Sequence, residues 1–443
     1  MSFKQGLIRA RSHLIFLFGL ITAFSLVFWL ESIEPQLQDE AGIRLNKVQL
    51  EQTYTRTTPV SRQLTAEERA WANIAWTYFK NNTIPETGLV NSVDNYESST
   101  LWDTASYLMA VISAHRLQLI SDIEFDSRII LALKALKEIP LFNNQLPNKV
   151  YHTRNLTMVD YKNQPTEKGI GWSAIDIGRI MVPFNVLVWH YPHHSDAVGK
   201  VLKRWDIESM LREGSMYGAA IDNQGEIIYL QEGRLGYEEY AAKSFNLIGR
   251  DVSRALDYFS HLNMVDIYGV EIATDSRTPE QFQAHNYVVS EPYILDGIEF
   301  GWDLVSRELA ARVYQAQEKR YQETDILTAV SEDNIDQAPY FVYNTVFTDS
   351  KAWNAISESG EDASAFKTLS TKAVFGWNML YETAYTRQLM DRIKTAFDPE
   401  RGWYSGIYEA DNKPNTAITA NTNGIILEAL AFRQTGQLMK IGK

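Results

Sequence analysis

Two kinds of helical stretch alternate along this chain, and that alternation limits its fold more than any other feature. Stretches at 100–118, 173–190 and 237–247 are apolar or rich in small residues on every side, with less regular members at about 290–300, 368–382 and 417–434. Amphipathic stretches accompany them at about 65–82, 126–138, 195–212, 250–262, 302–322 and 383–396. A helix that is apolar all round has to be buried all round, whereas one apolar stripe marks a helix that covers something else. Six of each kind have a natural arrangement, an inner ring wrapped by an outer ring. We therefore expect an all-α domain over residues 63–443, a six-hairpin α/α toroid of twelve helices. An irregular helical bundle is the plainer rival. An α/β fold is disfavoured, because no series of β-branched runs with glycine turns alternates with the helices. Thr65-Ala-Glu-Glu68 has the capping-box pattern that opens a helix. Pro183 should kink the second apolar helix or begin its later half.

The N-terminus carries a different signal. Leu14 to Leu30 is free of charge, and as a helix of about 17 residues it spans roughly 25 Å, near the lower limit for a bilayer. Lys4, Arg9 and Arg11 precede it, and Glu31, Glu34, Asp39 and Glu40 follow. That bias places residues 1–13 in the cytoplasm, 14–30 across the membrane, and the rest on the extracytoplasmic or periplasmic side. A cleaved signal peptide is the alternative, but bulky acidic residues stand where a small-x-small cleavage site belongs. Residues 31–62 lack any period and read as a linker.

Composition removes whole classes of function. The chain has no cysteine, which excludes disulfides and thiolate-held zinc or iron–sulfur centres. Its formal charge is −13 with no basic stripe, so nucleic acid is not an expected partner. Eleven Trp and 23 Tyr suit a core, and they equally suit sugar faces, being flat, apolar and able to hydrogen bond. No phosphate loop, serine elbow or zinc-protease motif is present, and no cofactor or metal is expected. His190, His193 and His194 lie close together, but their spacing matches no catalytic metal site, and a solvated loop is the expected setting.

In such a toroid the inner helices begin at one rim, and their first residues surround one cavity. Those residues are Trp102, Asp103, Trp172, Asp176, Tyr237, Glu238, Glu239, Glu291, Tyr293, Lys372, Thr419 and Asn421. Carboxylates, rings and amides converging there are the equipment of glycan chemistry. A structural reading competes. Thr100 to Asp103 and Ser173 to Asp176 fit capping boxes, while Glu238 and Glu239 lack the Ser or Thr three residues earlier and would at least complement a helix dipole. A general acid at that position would need burial to raise its pKa. Residues 222–230, DNQGEIIYL, read as a β-turn between short strands, a flap beside Glu238 and Glu239.

The segments at 76–114, 169–180 (GIGWSAIDIGRI) and 320–346 resemble the bacterial family known as domain of unknown function 3131, over about residues 65–436. More distantly, Thr87-Gly88-Leu89, Ser98-Ser99, Asp176 and Tyr237-Glu238-Glu239 are similar to the glucoamylase-like toroids that include β-1,2-glucan hydrolases. That similarity implies Glu239 as proton donor and Asp176 on the water side. The relatives carry Asn-Glu-Ala after the tyrosine where this chain has Glu238-Glu239-Tyr240, so Glu238 stays a candidate. The implied function is a membrane-anchored glycoside hydrolase acting on a β-glucan or exopolysaccharide, with Trp102, Asp103, Trp172, Tyr237, Glu291, Tyr293 and Asn421 binding substrate. A non-catalytic glycan-binding or scaffold protein of polysaccharide export or envelope assembly is the alternative. A third, a lyase or epimerase of uronic acids, would use His285, Tyr287 or Arg179.

Overall fold

The structure, a computed structural model, describes residues 58–282 and 285–441 together with Thr22. The anchor expected at 14–30 and nearly all of the expected linker lie outside the described residues. Among the described residues no helix is long and apolar enough to cross a membrane.

The helices are α1 (Ala66–Asn82), α2 (Leu101–Arg116), α3 (Asp122–Glu138), α4 (Ala174–His190), α5 (Ser195–Leu202), α6 (Tyr237–Asn246), α7 (Pro279–Phe282), α8 (Glu291–Leu295), α9 (Leu304–Thr324), α10 (Thr371–Tyr381), α11 (Ala384–Ile393) and α12 (Ala420–Thr435). The even-numbered set is the apolar one, and it closes a ring. Each inner helix packs on the next, from α2 through α4, α6, α8 and α10 to α12, and α12 returns to α2. Small residues bring these helices close. A Cβ added at Gly178 of α4 would lie 2.5 Å from the Ala241 Cβ of α6. Helix α4 runs through Pro183 without ending, and α8 continues as one π-helical turn, Asp296–Phe300.

The odd-numbered helices other than the four-residue α7 wrap this ring. Helix α1 lies on α12 and α2, α3 on α2, α5 on α3 and α4, α9 on α8, and α11 on α10. Thr65 caps α1 as its sequence implies: its hydroxyl accepts from the Glu68 N–H, and Glu68 Oε2 accepts from the Thr65 N–H at 2.8 Å.

Two expectations need correction. Residues 250–262 form no helix. Asp251 accepts from the Ser253 N–H and Asp257 from the Phe259 N–H, and such local side-chain bonds compete with helical ones. The chain instead turns into the hairpin Leu262–Ile267 and Val270–Asp275, whose second strand packs on α9. The fold is also not all-α. Seven small antiparallel sheets occupy the connections among the described residues. Strands Ser98–Thr100 and Thr368–Ser370 run straight into α2 and α10, and Pro414–Ile418 precedes α12. The strands thus build up the rim where inner helices begin.

The barrel axis is polar. Arg179 of α4 is fully buried and pairs with Glu299, just after α8, and with Glu428 of α12 at 2.7 Å. Its Nη1 also donates to the Tyr240 hydroxyl at 2.6 Å, and that hydroxyl donates to Glu299. Two carboxylates face one guanidinium, so burial together with the Glu299 charge raises the Glu428 carboxyl far above its usual range, despite Arg179.

Candidate active site

The rim above that axis holds most of the residues singled out from sequence. Trp102 reaches across the ring, its indole N–H donating to Glu291 Oε1 at 3.0 Å. Asn421 Nδ2 donates to both oxygens of Glu291 at 3.0 Å, and Lys372 Nζ lies 2.5 Å from Oε2. The Trp102 and Tyr237 rings meet edge to face at 5.5 Å. Five predicted residues from five inner helices therefore form one cluster. Glu291 is buried and satisfied by three of them, so it organises the floor and leaves no free carboxylate for a sugar. Despite burial, Glu291, Glu332 and Asp333 hold Lys372 above its usual range. Thr419 caps α12, accepting from the Thr422 N–H.

Asp103 and Asp176 do occupy capping positions. The Thr100 and Ser173 hydroxyls accept from their backbone N–H groups at 3.0 and 3.1 Å. Their carboxylates do not complete the box. Asp103 Oδ2 accepts from the Thr100 hydroxyl at 2.8 Å. Asp176 remains partly accessible at the start of α4, yet is buried enough for its charge to be poorly hydrated. Burial first, then the charges of Glu232 and Asp103, push its carboxyl up to about 7 against Lys149 and Ser173.

Glu232 is the residue that sequence reasoning missed. It follows the strand Ile227–Gln231, whose hairpin with Ser215–Ile221 is the expected flap. Its Oε2 accepts from the Ala174 N–H at 2.6 Å, and its Oε1 accepts from the Ser173 hydroxyl at 2.7 Å. The same hydroxyl lies 3.2 Å from Asp176 Oδ1. That shared hydroxyl brings the Asp176 and Glu232 carboxylates to opposite sides of Ser173 Oγ. Gly218 makes this possible, since a Cβ there would meet Glu232 Oε2. Burial raises Glu232, opposed by Lys149, Ser173 and the α4 N-terminus. A glutamate just past a flap strand, opposite a glycine, was the signal available in sequence.

The two glutamates of α6 separate in role. Glu238 is tied to Arg277 at 2.6 Å and accepts from Gln231 Nε2 at 2.9 Å, and Arg277 also pairs with Asp275. It joins the flap to the 262–275 hairpin, which removes it as a free acid. Among the described residues Glu239 has no ion pair of this kind. Its Oε2 accepts from the Gly236 N–H at 2.7 Å, so a glutamate can close the helix without Ser or Thr at the cap. Gly236 has φ of 100°, a conformation that favours glycine. Burial, then Glu238, push the Glu239 carboxyl up to about 8, against its backbone hydrogen bonds.

Five further residues sit elsewhere than expected. Trp172 is fully buried, its indole N–H donating to the Tyr217 carbonyl and its ring packed on Phe142. It supports the flap and offers no face to a sugar. Tyr293 is buried against Gly236. Arg179 lies in the axial network, so it presents no guanidinium to a uronate. His285 is bonded to Asp349, and Tyr287 stacks on Tyr343 at 3.7 Å between rings.

The architecture matches known folds. An endo-β-1,2-glucanase from Chitinophaga pinensis shares it with a TM-score of 0.59 at 10% identity, over 85% of this chain and 94% of that one. A glucoamylase-like protein of Bacteroides caccae gives 0.58 at 11% identity, over 84% and 94%. An endo-β-1,2-glucanase from Talaromyces funiculosus, solved with sophorose, gives 0.53 at 12% identity, over 84% of each chain. Identities this low establish the fold alone. No curated protein matches the sequence. The family profile described as protein of unknown function (DUF3131) matches residues 70–436. The chain belongs to that family, and its domain has the α/α toroid fold of those structures.

Proposed function

We propose that the protein is a glycoside hydrolase acting on a β-linked glucan or exopolysaccharide. Glu239 donates a proton to the leaving oxygen, and Asp176 activates water. The observation that carries this reading is the placement of both carboxyls at the third position of neighbouring inner helices, α6 and α4. Each is held by burial at a pKa suited to exchange near neutrality, about 8 for Glu239 and about 7 for Asp176. The fold shared with endo-β-1,2-glucanases makes a β-1,2-glucan the first substrate to try. In this reading the partly exposed Trp102, Tyr237 and Asn421 around Glu291 meet the glycan, and Glu232 shares Ser173 with Asp176.

One observation favours a second reading. Glu239 is 3% exposed and spends one oxygen on its own helix start, as a purely structural residue would. A glycan-binding scaffold would keep the cleft and lack turnover. Sugar release from a panel of β-glucans separates the two. The wild-type protein should release sugar, and Asp176→Asn and Glu239→Gln should each lose about 10²–10⁴-fold. Equal turnover by all three proteins would reject the assignment. Glycan binding without turnover would establish the scaffold.

The proposal includes a single-pass membrane anchor at Leu14–Leu30, with the toroid outside the cytoplasm. The protein should then stay with membranes through an alkaline carbonate wash; release into the supernatant would remove the anchor from the proposal.

A further inference from the structure

Away from the cleft, the outer ring carries a cluster of three metal-ligating side chains. Asp126 lies on α3, and His193 and His194 form the short turn Pro192–His194 that leads into α5. Both imidazoles address one oxygen: His193 Nε2 stands 2.8 Å and His194 Nε2 2.9 Å from Asp126 Oδ1. The three ligand atoms lie within 4.8 Å of one another. His194 is buried and its ring is set against Phe125, also of α3. The solvated loop expected from sequence is thus only half right, since His193 alone is exposed.

We propose that Asp126, His193 and His194 bind a divalent cation of the zinc class, which clips α3 to the turn that opens α5. Two imidazoles and one carboxylate form a nitrogen-rich set that suits zinc, whereas magnesium and calcium take oxygen ligands. At present each histidine meets the carboxylate through an N–H. Moving both protons to Nδ1 presents two Nε2 lone pairs and a carboxylate oxygen to one point. A tetrahedral ion about 2.0–2.1 Å from each ligand needs them about 3.3 Å apart, and rotation of the exposed His193 side chain supplies the remaining adjustment. Three protein ligands leave a fourth position on the side where His193 is open to solvent.

The test uses the full-length protein stripped with chelator and dialysed. Zinc titrated into it calorimetrically should show one saturable site of about 10 μM or tighter, confirmed by elemental analysis of the dialysed complex. His193→Ala and Asp126→Asn should each weaken binding at least about tenfold. Zinc should raise the melting temperature of wild type and leave that of His193→Ala unchanged. His193 is exposed, so its loss leaves the fold intact and the comparison interpretable. Absence of binding to wild type at about 100 μM zinc, or equal binding by both variants, would overturn the proposal.

Discussion

The indole N–H of Trp102 donates to Oε1 of Glu291 across the inner ring, from the first inner helix to the fourth. Glu291 also takes the Lys372 ammonium and the Asn421 amide, so one carboxylate ties four inner helices together at the cleft floor. Glu291→Gln keeps the shape and removes the charge 2.5 Å from a buried lysine, leaving Asp333 at 3.8 Å. Breaking a buried pair from one side costs about 3–5 kcal/mol. Urea denaturation should show a loss of that size.

The pH profile of hydrolysis follows from the two raised carboxyls. Asp176 acts ionised, so activity rises as pH passes about 7, and Glu239 acts protonated, so activity falls above about 8. A narrow bell in kcat/KM is expected. Glu232 repels the ionised form of Asp176, so Glu232→Gln should lower the Asp176 pKa and carry the ascending limb to lower pH. The limb measured for the variant and wild type decides this, and a shift to higher pH would contradict the assigned coupling.

Close packing of α4 on α6 makes a second stability prediction. Gly178→Ala gains about 1 kcal/mol in helix propensity. The added Cβ would also stand 2.5 Å from the Ala241 Cβ and 3.0 Å from its Cα, and overpacking of this kind costs about 1–3 kcal/mol. The net change should be destabilising by up to about 2 kcal/mol. A raised melting temperature would show that the ring relaxes freely at this contact.

The axial network predicts non-additivity. Arg179→Met alone leaves Glu299 buried beside Tyr240 and Glu428, which should cost about 3–5 kcal/mol. Replacing Arg179, Glu299 and Glu428 together with Met removes the stranded charge and should recover most of that loss. Chemical denaturation of the single and triple variants checks it.

The ring of inner helices was readable from residues such as those of 101–116 and 174–190, because burial on every side leaves no polar face and local composition records it. The start of α1 was readable because Thr65 and Glu68 satisfy each other within one turn. Residues 250–262 were misread because Asp251 and Asp257 bond locally, an outcome that hydrophobic spacing does not encode. Apart from the flap hairpin, the short strands were missed because two to seven residues between turns carry too little period to stand out.

The site divides in the same way. Sequence by itself determined which residues stand at the starts of the inner helices, because helix phase and capping are local properties. Only the tertiary structure decided what each does. It committed Glu291 to Lys372 and Trp102, Glu238 to Arg277, and Arg179 to the axis. It also brought Glu232, 56 residues from Asp176 in the chain, onto the same Ser173 hydroxyl. The physical reason is that a carboxylate's role depends on its burial and its partners, and both are set by elements far apart in sequence meeting at one rim.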